Sequence, residues 1–156
     1  MAATVCTGLI HETFRSTDRS KTFFHGHSYT ANPLGCAAGI ASLQIFDSEP
    51  VFERIATIQK IHGERAVDLR KHSAVADVRQ IGTILAVELA ADDPGYFSKA
   101  RAALYQFYLD RGILLRPLGN VVYILPPYVI TQEELHRVHD VIAESLDVVC
   151  RPRAGS

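Results

Sequence analysis

Cysteine is scarce in this sequence of 156 residues. Only Cys6, Cys36 and Cys150 are present, and they lie far apart in the chain. An odd number of widely separated cysteines argues against a disulfide framework and against a zinc site of the Cys-x-x-Cys type. We therefore expect three reduced thiols, buried as free cysteines usually are.

Long apolar runs and an excess of charge of one sign are also missing. No apolar run approaches the roughly 20 residues that a membrane-spanning helix needs, and the apolar start over residues 1–10 is short and lacks a basic segment. Sixteen basic residues balance seventeen acidic ones, for a net charge of −1, and they form no basic stripe. The sequence predicts a cytoplasmic protein with neither a membrane nor a nucleic acid as partner.

The first third of the chain reads as a strand, a polar interval and a helix. Residues 1–10 are apolar and indicate a strand that begins in the middle of a fold. Asn32 is a preferred N-cap and Pro33 suits the first helical position, so a helix is predicted to begin there and run to about residue 46. Two glycines within it indicate close packing against another backbone.

Residues 51–150 follow the order α-β-β-α-β-β-α, which is an α+β pattern. The expected elements are a helix from Val51 to about Lys71, two strands around Gly82, a helix ended by Gly112, two strands around the Gly119–Asn120 turn, and a last helix opened by a capping box from Thr131 to Glu134. Residues 151–156 form a tail.

The stretch "HGHSYTANPLGC", residues 25–36, concentrates hydrogen-bonding groups before a helix start. A metal site is weakly supported, because His25 and His27 have no third ligand nearby; His136 and His139 are explained as polar residues on a helix surface. Ser28 lacks the Gly-x-Ser-x-Gly setting of a nucleophile. Two interpretations remain equally supported by the residues. One is an anion-binding turn that uses Gly26, two hydroxyls and the unpaired N–H groups of the helix start; the other is a capped turn that only orders a buried helix.

Arg116 is the second unusual residue, because the apolar run before it, Ile113 to Leu115, implies burial. A buried guanidinium needs a partner, which is either an internal carboxylate such as Glu88 or the carboxylate of a ligand. Tyr123 suits either core packing or a hydroxyl that faces substrate. Arg79, in a strand pattern, is expected to form a salt bridge at a strand edge.

Two motifs carry a resemblance to a known family. The segment "HGHSYTANPLGCAAGIASLQIF" resembles the region after the cofactor lysine in class III pyridoxal-phosphate aminotransferases of fold type I. The segment "ILLRPLGNVVYILPPYVIT" resembles the branch that transfers an amino group from S-adenosylmethionine to 8-amino-7-oxononanoate in biotin biosynthesis. The resemblance runs from about residue 2 to about residue 148.

The resemblance implies an α/β fold, namely the pyridoxal-phosphate transferase fold type I, of which this chain holds a part. Residues 1–49 would be the end of the large domain (strand, phosphate loop and long helix), and residues 50–150 the α+β small domain. The cofactor would be pyridoxal 5′-phosphate. Gly26, His27 and Ser28 match the loop that reaches, in the family's homodimer, the cofactor phosphate of the other subunit.

The small-molecule substrates would meet a second group of residues. Arg116 matches the arginine that binds the carboxylate of the keto-acid substrate, and Tyr123 matches a tyrosine close to the substrate. Gly26 is counted with them as a substrate-site residue. At Ala31 the family often has glycine, a difference that matters only if this position needs a positive φ.

Other parts of the family's active site are absent. None of Lys21, Lys60, Lys71 and Lys99 matches the Schiff-base lysine, which lies upstream of the matching segment. The aspartate that pairs with the pyridine nitrogen, the stacking aromatic residue and the glycine-serine phosphate turn are also missing. We therefore expect a C-terminal fragment with no catalytic residue and no activity of its own.

Two other functions stay open on the sequence. In the first, the parent protein is a different class III aminotransferase that acts on an ω-amino acid or a diamine. In the second, the chain is a stand-alone non-catalytic domain that dimerises or pairs with a separately encoded N-terminal half. The residues that select the amino donor lie upstream in the family, so the sequence leaves the donor undecided.

Overall fold

A computed structural model describes residues 2–90 and 100–149. The chain divides into two compact units, Met1–Glu49 and Pro50–Ser156. Their assignment to the large and small domains of the family stays a prediction. Among the described residues no helix is long and apolar enough to cross a membrane.

The first unit consists of helices and loops. Helix α1 spans Gly8–Phe14, a single 3₁₀ turn spans Arg19–Lys21, and helix α2 spans Pro33–Ser48. The predicted strand over residues 1–10 is wrong: residues 2–7 are irregular, and α1 begins directly after Thr7. A strand needs a neighbour to pair its backbone groups, and the described part of this unit offers none.

Helix α2 begins where the sequence predicts. The Asn32 side-chain oxygen accepts hydrogen bonds from Leu34 N at 3.0 Å and Gly35 N at 3.5 Å, and Pro33 occupies the first turn. Although the helix is apolar on most of its surface, none of its residues is buried. The expectation of a buried helix is therefore not met within the described residues.

The second unit contains the sheet and three longer helices. Helix α3 spans Val51–Leu69, strands β1 and β2 span Val75–Ile81 and Ile84–Leu89, helix α4 spans Ala100–Asp110, strand β3 spans Val121–Ile124, and helix α5 spans Gln132–Val149. The strands form one antiparallel sheet in the order β1-β2-β3. Gly82 and Gly112 adopt the positive φ values, +51° and +71°, that their predicted turn and helix end require.

One predicted strand is absent. The segment before the Gly119–Asn120 turn does not pair as a strand, and in the described part of the chain only a single bridge joins Leu118 to Val121. Pro117 has no N–H to donate to a ladder, so the pairing stops there. The order of the second unit is therefore α-β-β-α-β-α.

The core of the second unit lies between one face of the sheet and the three helices. It is built from apolar side chains that alternate along each strand and repeat at helical spacing; these include Ile58, Ile61, Val78, Leu85, Val87, Leu104, Val122, Leu135, Ile142 and Leu146. The opposite sheet face carries Asp77, Arg79, Ala86, Glu88 and Tyr123. The sheet therefore separates an apolar core from a polar face.

The cysteines correct the expectation of buried thiols. Cys6 is exposed and Cys36 is partly exposed, and both are free. Cys150 lies outside the described residues. Neither described thiol belongs to a core, because the described part of their unit has no buried residue.

Candidate functional site

The candidate phosphate loop of the first unit is ordered by a tight turn. Thr30 N donates to the His27 carbonyl at 3.0 Å, and Asn32 N donates to the Tyr29 carbonyl at 3.3 Å. His27 N also lies 3.4 Å from the Thr30 hydroxyl oxygen. Ala31 closes the turn in the left-handed region, with a φ of +54°. The loop is thus held by its own backbone immediately before α2.

Some polar groups of this loop are hydrogen-bonded within the loop, and others are donors that make no hydrogen bond among the described residues. His27 Nδ1 accepts from Tyr29 N at 3.2 Å, so the neutral ring carries its proton on Nε2, which is free to donate. The Ser28 hydroxyl and the backbone N–H groups of Gly26 and Ser28 make no hydrogen bond within the described residues. This set of exposed N–H and O–H donors suits a phosphate group.

The start of α2 does not add to that set. Asn32 accepts from Leu34 N and Gly35 N, its carbonyl accepts from Cys36 N at 2.9 Å, and Pro33 has no N–H. The expectation that unpaired N–H groups of the helix start take part is therefore wrong. Any anion bound here depends on the loop from Gly26 to Ser28.

Packing inside the chain does not explain the glycine at position 26. Among the described residues no atom lies within 4 Å of the place that a Gly26 Cβ would occupy, and Gly26 is not among the glycines with positive φ. A side chain would therefore fit within the described structure. Open space at this glycine is compatible with the approach of a ligand or of another chain.

The second candidate site lies in the second unit on residues 115–124, the segment that turns at Gly119–Asn120 into β3 and is called the hairpin below. Arg116 is exposed, which corrects the predicted burial, and within the described residues it has no hydrogen bond or ion pair. Its neighbour Pro117 is buried, as is Val122 on β3. Because successive residues of an extended chain face opposite ways, Arg116 and the half-buried Tyr123 both face away from the core.

Two side chains that the sequence analysis did not single out hold this hairpin. Asn120 Nδ2 donates to the Leu89 carbonyl at 3.0 Å, while Leu89 N donates to the Asn120 carbonyl at 2.9 Å. Arg101 Nε of α4 donates to the Pro117 carbonyl at 3.2 Å. The segment that carries Arg116 is therefore fixed without strand pairing. The predicted Gly119–Asn120 turn could have identified Asn120 from the sequence, whereas no sequence feature identified Arg101.

The internal carboxylate considered for Arg116 belongs to another arginine. Arg79 Nη1 lies 2.6 Å from Glu88 and 2.8 Å from Asp77, as expected of a salt bridge on a strand. The hydrogen bonds that the Arg79 guanidinium donates to Glu88 and then to Asp77 raise its pKa. Glu88 is thus engaged across β1 and β2, and Arg116 remains available for a carboxylate from outside the described chain.

The groove beside the hairpin does not contain the two candidate residues. It has a volume of about 530 Å³ and is lined by residues that flank Arg116, including Ile113, Leu114, Leu115, Ile124 and Leu125. Arg116 and Tyr123 are not part of its wall. A substrate held by these two residues would therefore lie on the other side of the hairpin.

The described residues, 2–90 and 100–149, hold no cluster of three histidine, cysteine, aspartate or glutamate side chains that could bind a metal ion. His25 and His27 lie in the exposed loop. The interpretation of His139 as a surface residue is wrong: it is 2% exposed and bonded to His62, which is fully buried. A signal was present, because His139 lies between Leu135 and Ile142 on the apolar face of α5.

Comparison with known proteins identifies the family of this chain. The profile of the aminotransferase class-III family matches residues 1–146. The adenosylmethionine-8-amino-7-oxononanoate aminotransferase of Synechococcus elongatus is 43% identical over 150 residues, which cover 96% of this chain and 35% of the relative. The chain therefore spans about one third of the length of the curated relatives that it matches.

Solved structures agree in fold. The adenosylmethionine-8-amino-7-oxononanoate aminotransferase of Methanocaldococcus jannaschii superposes with a TM-score of 0.80 at 32% identity, covering 90% of this chain and 33% of that one. The PMP-bound aminotransferase of Vibrio fluvialis has a TM-score of 0.72 at 24% identity, covering 83% and 30%, and supports the fold alone. The chain has part of the fold of these transaminases and belongs to the class III aminotransferase family.

Proposed function

We propose that this chain is the C-terminal portion of a pyridoxal-phosphate-dependent aminotransferase that transfers an amino group from S-adenosylmethionine to 8-amino-7-oxononanoate in biotin biosynthesis. The observation that carries the proposal is the exposed guanidinium of Arg116, held beside the buried Pro117 without a partner among the described residues. The 43% identity to a relative named for these two compounds supports the choice of substrates. A cytoplasmic location for this activity stays a prediction.

Arg116 would bind the carboxylate of the acceptor. A guanidinium grips a carboxylate through two parallel hydrogen bonds, which fixes the orientation of the substrate as well as its position. Tyr123, which faces the same side of the hairpin, would contact the substrate near that end. The two residues therefore position the acceptor and perform no bond-making step.

Gly26, His27 and Ser28 would hold the phosphate of the cofactor, and Gly26 would also lie next to the substrate. The Ser28 hydroxyl and the N–H groups of Gly26 and Ser28, which make no hydrogen bond within the described residues, would supply donors. When bound, pyridoxal phosphate supplies the carbonyl carbon that takes up the amino group and the conjugated ring that spreads negative charge. In the proposed homodimer this loop serves the cofactor of the other subunit.

A chimera tests the proposal. Residues 2–149 would replace the matching C-terminal third of the Synechococcus elongatus relative, which supplies the upstream two thirds. We expect a folded chimera that binds pyridoxal phosphate and aminates 8-amino-7-oxononanoate. A chimera that binds the cofactor and aminates only other keto compounds would favour the ω-amino acid or diamine alternative.

The substitution Arg116→Gln tests the role of the guanidinium in that chimera. Loss of a charge-assisted contact worth about 1.5–3 kcal/mol should raise the KM for 8-amino-7-oxononanoate by about 10- to 150-fold. The variant should also lose the preference for this acid over its methyl ester. Arg54→Gln, on α3, is the matched control. An unchanged ester preference in Arg116→Gln would contradict the assignment.

We also propose that the isolated chain is inactive. Adding pyridoxal phosphate and then borohydride should give no adduct confined to one lysine among Lys21, Lys60, Lys71 and Lys99. Peptide mass mapping measures this. A stoichiometric adduct at a single lysine, together with amino transfer, would overturn the inactivity without affecting the chimera experiment.

A further inference from the structure

Two histidines form a buried pair between the helices of the second unit. His62 of α3 is fully buried and His139 of α5 is 2% exposed. Their rings are joined by a hydrogen bond of 2.9 Å between His62 Nδ1 and His139 Nε2. His62 Nε2 lies 3.1 Å from the Thr83 carbonyl, in the turn between β1 and β2. The pair therefore connects α3, α5 and the β1–β2 turn.

The hydrogen bonds determine where the protons lie. The Thr83 carbonyl can only accept, so His62 Nε2 carries a proton, and in the neutral ring Nδ1 is then an acceptor. His139 must donate through Nε2, which leaves His139 Nδ1 without a proton. That atom is buried and has no partner among the described residues. The hydrogen bonds of the pair thus require no more than two neutral rings, each in the Nε2–H form.

The surroundings disfavour an added proton. Arg65 Nη2 pairs with Asp140 at 2.9 Å, Lys71 pairs with Asp68 at 2.8 Å, and Arg65 Nε donates to His136 at 3.2 Å. Burial, followed by the charges of His62, Arg65 and His136, lowers the pKa of His139 to about 3, and burial also lowers the pKa of His62. In the described part of the chain no carboxylate bonds to either ring, and Asp140 and Asp68 are each paired with another residue.

Solvent lies close to the pair. His139 lines a cavity of about 110 Å³, whose wall also includes the partly or fully exposed residues Arg65, Asp68 and His72. His72 Nε2 in turn lies 3.3 Å from Asp147.

Other titratable groups on these elements pair among themselves or lie away from the pair. Lys60 lies 4.0 Å from Glu64 on α3, and Glu144 on α5 pairs with Arg111. Tyr108 of α4 is bonded to Ser145, and Asp77, Arg79 and Glu88 lie on the opposite face of the sheet.

We propose that the His62–His139 pair is an acid-sensitive latch that holds α3, α5 and the β1–β2 turn together only while both rings are neutral. A proton on either ring places an unpaired charge in the core beside Arg65 and His136. Burying an unpaired charge is costly, so the protonated state is relieved by separation of the two helices, which gives the rings access to water. The cavity provides the route by which the first proton enters.

The sign of the pH dependence follows from linkage. A histidine whose folded-state pKa lies below its unfolded value of 6.5 contributes its full stability above pH 6.5 and loses it as the pH falls towards 3. For His139 alone, the unfolding equilibrium constant should rise about thirtyfold between pH 7.5 and pH 5. Hydrogen exchange should show that the amides of α3 and α5 near the pair lose protection together.

His139→Gln is the variant that tests the latch, because its amide can still donate to His62 Nδ1 without titrating. It should reduce the ratio of the unfolding constants at pH 5 and pH 7.5 by about thirtyfold, while the control His136→Gln, one turn earlier on α5, changes that ratio little. An unchanged ratio in His139→Gln would overturn the proposal.

Imidazole ¹⁵N resonances of the unsubstituted chain give a second test that does not depend on a variant folding. At pH 5.5 both rings should appear neutral, with the proton on Nε2 and with His139 Nδ1 bare. A histidine at either position that titrates near pH 6.5 in the folded chain would equally overturn the latch.

Discussion

Tyr108 and Ser145 form a buried polar contact whose two members are not equivalent. Both are fully buried, and their oxygens lie 2.9 Å apart. The Ser145 hydroxyl donates its one proton to the Ile142 carbonyl at 2.7 Å, so Tyr108 must be the donor to Ser145. The contact therefore depends more on the serine than its small size suggests.

The two single substitutions should differ in cost for that reason. Tyr108→Phe removes a donor and leaves Ser145 bonded, which should cost about 1 kcal/mol in the free energy of unfolding. Ser145→Ala removes both the oxygen that accepts from the buried Tyr108 hydroxyl and the bond to the Ile142 carbonyl, which should cost about 1–3 kcal/mol. The double variant should be more stable than Ser145→Ala alone. Urea denaturation measures all three, and equal single costs would contradict the assigned donor.

Ala31 is strained by its backbone conformation. Its φ of +54° lies in the left-handed region, where an alanine side chain costs roughly 1–2 kcal/mol relative to glycine. Ala31→Gly should therefore stabilise the first turn of α2 by about 1 kcal/mol after the entropy of glycine is subtracted. Hydrogen exchange at the α2 N-terminus should slow about fivefold. Ala31→Val should act in the opposite direction, and slower exchange in the valine variant would refute the strain.

Single residues show where sequence reasoning succeeds and where it fails. The Asn32 cap and the Thr131–Glu134 capping box were predictable because their partners lie within three residues. The exposure of Arg116 and the burial of His139 were not, because both depend on contacts distant in sequence. An apolar run predicts that its neighbouring residues are buried only where that segment pairs with a strand on each side.

At the level of the elements, replacing glycine by alanine should have opposite effects on stability at Gly82 and at Gly63. Gly82 closes the β1–β2 turn with a φ of +51°, and a Cβ added there would meet no described atom within 4 Å, so any effect comes from the backbone. Gly63 lies inside α3, where a Cβ would meet only Gln80 Oε1 among the described atoms, at an ordinary 3.5 Å. Gly82→Ala should lower the free energy of unfolding by about 1 kcal/mol.

Gly63→Ala should raise the free energy of unfolding by about 0.5–1 kcal/mol, because alanine loses less backbone entropy in a helix. Denaturation midpoints of the two variants, measured side by side, check both signs. If Gly63→Ala instead destabilises the protein, the Gln80 side chain does not move away from the added methyl group. Its hydrogen bond from Nε2 to the Gln59 carbonyl, at 2.6 Å, would explain that rigidity.

The elements of the sheet explain which parts of the fold the sequence could specify. Strands β1 and β2 were predictable because a glycine turn joins two β-branched runs that pair with each other. The strands expected at residues 1–10 and before Gly119 have equally apolar sequences. The described structure gives the first no partner and the second only the Leu118–Val121 bridge. Apolar composition alone does not make a strand when the pairing edge is missing.

At the level of the whole molecule, stability comes from one unit. The core cluster is built entirely from residues after position 50, whereas the described residues of Met1–Glu49 include no buried side chain. The slope of the denaturation curve scales with the surface exposed on unfolding. A chain of residues 50–149 should therefore unfold at the same urea midpoint as the full chain, with nearly the same slope.

The same fragment should also differ from the full chain in association. Helix α2 exposes Leu34, Ile40 and Leu43, whose exposed fractions are 83%, 58% and 67%, and apolar surface of this kind drives association. Light scattering should find the full chain self-associated and the fragment monomeric. Leu43→Glu should shift the full chain towards the monomer, whereas Val67→Glu on α3 should not. A monomeric full chain would contradict the proposed association through the exposed apolar side chains of α2.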